Sequence, residues 1–242
     1  SVSLKSMKQY SYELAFDMLK KAVREEYKRH WEMVEAAGIL GEEEIGRYQR
    51  IRDLKGTEND YADSLKFLSE CLYTCTGQKS ILLIDEYDVP LENAYFSGFY
   101  DRMVALIRSL FESALKTNDN LEFAVVTGCL RISKESIFTG LNNLNVVSIT
   151  NKTFAEHFGF TQEEVEQMLR AYGLEGNLET VRKWYDGYQF GETEVYNPWS
   201  VINYVNSCYK NKKEFAKPYW SNTSSNSIVR NLVEHADLSV KQ

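Results

Sequence analysis

Four apolar residues, Ile81-Leu82-Leu83-Ile84, run directly into Asp85-Glu86-Tyr87-Asp88. A strand built from that run delivers adjacent carboxylates at its C-terminal end, where ligands collect in open α/β sheets. Hydrolysis of a nucleoside triphosphate needs a carboxylate to hold hydrated Mg²⁺ and a group to orient or deprotonate the attacking water. In that chemistry Asp85 serves the metal, through water, and Glu86 serves the attacking water, as in a Walker B element. The competing reading is two acids leaving a strand for solvent. A second run, Phe123-Ala124-Val125-Val126, ends in Thr127-Gly128, with Arg131 and Lys134 just beyond. Thr127 is a candidate polar sensor for a γ-phosphate, and Arg131 a candidate cation for the charge that develops there. Their plainer reading is a strand terminus with a glycine turn and a solvated arginine. No Gly-x-x-x-x-Gly-Lys-Ser/Thr occurs; Gly77-Gln78-Lys79-Ser80 lacks the first glycine and leads into a strand rather than a helix. Lacking the backbone N–H groups and lysine of such a loop, these 242 residues alone are expected to bind ATP weakly or not at all.

The elements that must position these groups follow from hydrophobic spacing. Ser1 to Leu4 alternates like the end of a strand, and Tyr12 to about Glu35 repeats apolar residues at helical spacing, with Gly38 and Gly41 as stops. A short charged helix runs over about Glu42 to Arg50, and Asn59 or Asp60 is the expected cap of a helix carrying Leu65, Leu68, Cys71 and Leu72. Residues 81–84 lack alternation, which predicts a strand covered on both faces in a parallel sheet. A helix over Phe99 to Lys116, a strand over Leu121 to Thr127 and a third over Val146 to Ile149 complete a strand-helix-strand alternation. Beyond residue 150 helices and aromatic turns take over. Thr161 to Glu164 is a capping box, Tyr185 to Gly191 turns into a small hairpin or wing, and Asn197-Pro198 opens a further helix. The expected division is an α/β core over 1–150 and a smaller helical lid over 151–242.

Composition narrows the function classes. Apolar residues at 43% and charged residues at 26%, with only 3 prolines, exclude collagen-like and strongly disordered chains. No apolar run approaches the ~18 residues needed to cross a bilayer, so no membrane role is expected. A net charge of −7 argues against a surface that wraps nucleic acid. The four cysteines, Cys71, Cys75, Cys129 and Cys208, read as reduced core thiols of a cytoplasmic protein, since Cys71 and Cys75 lack a second ligand pair for zinc. Asp17 with Glu26-Tyr27-Lys28 imitates a nuclease pattern, but on a helix Glu26 and Lys28 point apart.

Several segments together resemble the bacterial AAA-ATPase-like family: Leu83 to Leu91, Thr127 to Phe138, Leu141 to Leu144, Phe158 to Thr161, Tyr185 to Tyr188 and Tyr196 to Ser200. That resemblance spans nearly the whole chain. It implies a P-loop NTPase-like sheet of the additional-strand (ASCE) type, here missing its first strand and phosphate loop, followed by a winged-helix-like region. It makes Asp85 and Glu86 the Walker B acids and leaves Asp88 a motif acid without a role. It also implies ATP and Mg²⁺ as ligands, an upstream phosphate-loop segment of the Arg-Pro-Arg-Arg-Phe-Gly-Lys-Ser/Thr type, and a nuclease-like domain downstream. The gap beside the strand at Leu121 to Thr127 is expected to be filled by upstream residues or a second chain, or closed by pairing with Val146 to Ile149. The alternative is a non-hydrolytic, nucleotide-dependent module whose aromatic second half, including Tyr188, Tyr196, Trp199, Tyr219 and Trp220, and whose lysines 210, 212, 213 and 217 engage protein or DNA.

Overall fold

The computed structural model describes residues 1–129, 137–138, 141, 144–211 and 214–219. Arg131, Lys134, Lys212, Lys213 and Trp220 lie outside the described residues. The chain divides into two compact units, Ser1–Leu144 and Asn145–Gln242.

In the first unit a three-stranded, all-parallel sheet is combined with helices. Its strands are β1 (Val2–Ser3), β2 (Ser80–Asp85) and β3 (Leu121–Val126), in the order β1-β2-β3. Between β1 and β2 run α1 (Tyr12–Ala37), α2 (Glu42–Arg52), α3 (Glu58–Ala62) and α4 (Ser64–Thr76); α5 (Val89–Ser97) and α6 (Tyr100–Phe111) lead to β3. The amphipathic stripe of α1 puts Ala15, Leu19, Val23 and Tyr27 wholly inside, and that of α6 does the same for Met103, Ile107, Leu110 and Phe111. Gly38 and Gly77 end α1 and α4 in the left-handed conformation that glycine adopts without strain. The helix carrying Leu65, Leu68 and Cys71 is α4, with Asp63 at its N-cap position rather than Asn59 or Asp60; those two lie inside α3, where the Thr57 hydroxyl accepts from Asp60 N at 3.2 Å while Asp60 Oδ2 accepts from Thr57 N at 2.8 Å. This reciprocal box starts α3, and α4 follows at Ser64. The expected helix to Lys116 ends at Phe111 and continues as one π-helical stretch, Glu112–Lys116.

Two strand expectations need correction. β2 is not covered on both faces: Ile84 is 2% exposed, whereas Ile81, Leu83, Phe123 and Val125 are 62%, 47%, 60% and 39% exposed. Ile81 pairs with Phe123 and Leu83 with Val125, so the four share one bare face, while Leu82, Ile84 and Val126 meet the core. The run was uniformly apolar, but helices cover only its even-numbered side. Val146–Ile149 forms no strand; Ile149 O accepts from Gly191 N at 2.7 Å, and neighbouring Ser148 and Asn151 close a turn. Neither of the residues' β-branched side chains nor their apolarity supplies the partner that a strand requires. Consequently β3 forms an edge of the sheet among the described residues.

The second unit packs α7 (Gln162–Ala171), α8 (Leu178–Tyr185) and α9 (Pro198–Lys210) against the hairpin of β4 (Asp186–Phe190) and β5 (Thr193–Tyr196). Val165, Leu169, Val181, Tyr196, Val201 and Tyr204 form its core. The Thr161 box and the Asn197 cap hold as expected, with Thr161 N donating to Glu164 Oε2 at 2.8 Å and Ser200 N to Asn197 Oδ1 at 2.9 Å.

Candidate functional site

Parallel pairing brings the C-terminal ends of β2 and β3 side by side. Tyr87 N donates to Thr127 O at 3.1 Å and Thr127 N to Ile84 O at 2.9 Å, carrying the ladder one step beyond β3. There the Thr127 hydroxyl donates to Asp85 Oδ1 at 2.5 Å, within the short range of hydrogen bonds to an ionised carboxylate. Both side chains are solvent-exposed, so the pair is open to a ligand rather than sealed in the core.

Glu86 follows in a left-handed backbone conformation, φ 55°. For a non-glycine residue this costs of order 1–3 kcal/mol and is retained where surrounding structure enforces it. Glu86 O accepts from Val89 N at 3.2 Å, tying the turn to the start of α5. Its side chain divides into two environments. Oε1 lies 3.8 Å from Lys5 Nζ, while Oε2 is buried and accepts no hydrogen bond. A buried carboxylate oxygen without a donor carries a desolvation cost that a bound water or ligand removes.

The local field is acidic. Burial first, then the charges of Asp88, Glu86, Asp85 and Glu92, push the Cys129 thiol above its ordinary range. No group of three or more His, Cys, Asp or Glu among the described residues is arranged to hold a metal ion. A single exposed carboxylate nevertheless fits Mg²⁺, which keeps most of its waters and uses one or two carboxylates beside phosphate oxygens. Two cavities of the first unit lie away from these acids: a cleft of about 420 Å³ beside Asp63, Glu112 and Lys116, and a pocket of about 60 Å³ beside Glu26, His30 and β2.

Of the expected site residues, Asp85, Glu86 and Thr127 come together, while Arg131 lies outside the described residues. Two residues gain a place that spacing did not give them. Asp88, 2% exposed, turns inward, and Gly128 lies so close to it that a Cβ there would fall 2.7 Å from Asp88 Oδ1 and 2.7 Å from the Tyr87 ring. The Thr-Gly dipeptide signalled a turn, but the approach of residues forty positions away has no local signature.

An α/β unit with carboxylates and a hydroxyl gathered at the C-terminal ends of adjacent parallel strands has the general form of a ligand-binding α/β protein. A family model described as a predicted AAA-ATPase, AAA-ATPase-like, matches residues 1–138, and the chain belongs to that family. It is also 30% identical over 159 residues to an "Uncharacterized protein in vnfD 5'region" of Azotobacter chroococcum mcd 1, a match covering 65% of this chain. The chain spans 29% of that relative's length. No solved structure matches it. No helix among the described residues is long and apolar enough to cross a membrane.

Proposed function

We propose that this chain carries the acid and sensor part of an ATP-hydrolysing domain, with Asp85 and Glu86 as its Walker B acids and Thr127 as its sensor. The observation that carries the reading is the 2.5 Å hydrogen bond joining Thr127 to Asp85 across the ends of β2 and β3, with Glu86 held left-handed beside it. Mg²⁺, when bound with ATP, supplies neutralisation of phosphate charge. Asp85 would hold the hydrated ion through water, its carboxylate oriented by the Thr127 hydroxyl. Glu86, with one oxygen free of donors, would accept a proton from the attacking water, and Thr127 would act as sensor by turning its single hydroxyl proton from Asp85 to the terminal phosphate. Arg131, four residues beyond Thr127, is the proposed cation for the developing charge.

The order β1-β2-β3 suits the second, third and fourth strands of an additional-strand P-loop sheet. On that reading a segment bearing the phosphate loop pairs along the free edge of β3. The helix, helix and hairpin order of α7, α8 and β4–β5 supports a winged-helix-like reading of the second unit, beside a core proposed to extend to residue 150. A downstream nuclease-like domain remains part of the proposal for the whole protein.

The test is Mg²⁺-dependent ATP turnover by the protein joined to its phosphate-loop segment. Glu86→Gln is expected to lower turnover by about 10²–10⁴-fold, the range for losing a general base, while ATP still binds. Unchanged turnover removes Glu86 from catalysis.

Exposed aromatics favour a second reading, in which the second unit is a nucleotide-dependent binding module. Trp184, Tyr188 and Trp199 are about half exposed. Acids outnumber bases over residues 145–242, and Lys217 is paired with Glu214 at 3.1 Å, so this surface suits protein better than DNA.

A further inference from the structure

Asp88 precedes the first residue of α5, the position where an aspartate ordinarily accepts from the exposed N–H groups of the helix. Here its side chain makes no cap bond, and Pro90 stands in the first turn. The carboxylate is instead directed into the protein, 2% exposed, against the backbone of Gly128.

The segment it meets is the turn that carries Thr127. Three hydrogen bonds fix Thr127 from the β2 side: its N–H to Ile84 O, its carbonyl from Tyr87 N, and its hydroxyl to Asp85. Gly128 then rests on the Tyr87 ring and the Asp88 carboxylate with no room for a side chain. The Tyr87 ring cannot yield easily, being 8% exposed and packed edge-on against Phe138 at 5.2 Å. Residues 84–88 thus grip residues 127–128 at both the hydrogen-bonded step and the step after it.

We infer that Asp88 is a positioning residue: its buried carboxylate supports Gly128 and so keeps the Thr127 hydroxyl on Asp85. This rests on reading Asp85, Glu86 and Thr127 as the ATP-facing groups. It separates the three acids by role, with Asp85 toward the metal, Glu86 toward water and Asp88 toward the turn beneath them.

The test reads amide hydrogen exchange at Tyr87, whose N–H closes the bond to Thr127 O. Asp88→Ala is expected to speed exchange at Tyr87 by about 10-fold or more while the mid-strand amides of β2 keep their rates, the pattern of local opening. Asp88→Asn, which fills the same space, is expected to stay within about 3-fold of the parent at Tyr87. In the protein joined to its phosphate-loop segment, Asp88→Ala is expected to lower kcat for ATP by on the order of 10²-fold with KM nearly unchanged, as for a misplaced group. Should Asp88→Ala fail to fold, Gly128→Ala, which forces a methyl against the same carboxylate and ring, is expected to give the same local signature. A parental exchange rate at Tyr87 in Asp88→Ala, or equal acceleration of every sheet amide, overturns the inference. Absence of ATP turnover in the unaltered protein, with the exchange pattern intact, overturns the ATPase reading and leaves the grip on Thr127 demonstrated.

Discussion

The bare face of the sheet makes a quantitative demand. Leu83 and Ile84 are neighbours on one strand with opposite fates, 47% against 2% exposed. Full burial of such a side chain is worth about 1.5–3 kcal/mol, so truncating half-exposed Leu83 to Ala forfeits only about 1 kcal/mol. Truncating Ile84 loses the whole transfer energy and leaves a cavity, about 2–5 kcal/mol. With a urea slope of about 2 kcal/mol/M, Leu83→Ala lowers the unfolding midpoint by about 0.5 M and Ile84→Ala by about 1–2.5 M. The assay is urea unfolding of the 242-residue chain followed by circular dichroism, repeated on the protein containing a phosphate-loop segment. If that segment covers the face, the cost of Leu83→Ala rises there toward that of Ile84→Ala. Equal costs for the two variants in the 242-residue chain alone would refute the reasoning, because Leu83 would then already be buried.

Burial first, then the acid charge around it, raises the Cys129 thiol and predicts slow iodoacetamide labelling at pH 8, with the rate climbing as pH rises past the ordinary thiol range, since a raised pKa leaves less thiolate at any given pH. Asp85→Asn removes one of those charges and is expected to quicken labelling at fixed pH, whereas Cys71, pushed up to about 12 chiefly by burial, stays inert in both. Thr57→Ala breaks the box that starts α3 and is expected to cost about 1 kcal/mol in urea unfolding. In the second unit, Gly159→Ala places a Cβ 2.6 Å from Val195 Cβ and 3.0 Å from Tyr196 O; the expected loss is about 1–3 kcal/mol, partly recovered in a double variant with Val195→Ala.

Local chemistry was legible in the sequence where its cause is local. The Thr161 box, the Asn197 cap, the glycine stop at 38 and the stripe of α1 each depend on residues within a turn or two. The acids at the end of β2 were legible for the same reason: an apolar run must stop somewhere, and the first polar residues after it mark its end. The start expected at Asn59 or Asp60 missed because those residues belong to a separate short helix, α3, and the break at Asp63 before α4 has neither a glycine nor a proline to mark it. What failed depended on partners. Residues 81–84 have the composition of a fully covered strand, yet coverage is a property of what packs on it. Val146–Ile149 has strand composition without a neighbouring strand to pair with among the described residues. Asp88 had no role in the sequence because its neighbours there are Val89 and Pro90, whereas its decisive neighbour is Gly128.

The open face and, among the described residues, the free edge of β3 are two consequences of one geometry, and together they constrain the segment proposed to join the sheet. Thr127 spends both its N–H and its carbonyl on the β2 side, so by ladder alternation Ala124 and Val126 direct theirs away from β2. A strand added there in the parallel sense ends beside Thr127 and Asp85, because all parallel strands finish at the same edge of the sheet. The loop leaving it therefore emerges over the acids, and the chain after that loop must turn back across a face. Of the two faces, one is already filled by Leu82, Ile84 and Val126 against the core; the other presents Ile81, Leu83, Phe123 and Val125 uncovered. One strand–loop–helix segment would thus satisfy the unpaired backbone, cover the apolar face and bring phosphate-binding N–H groups to the carboxylates, without rearranging any contact already made.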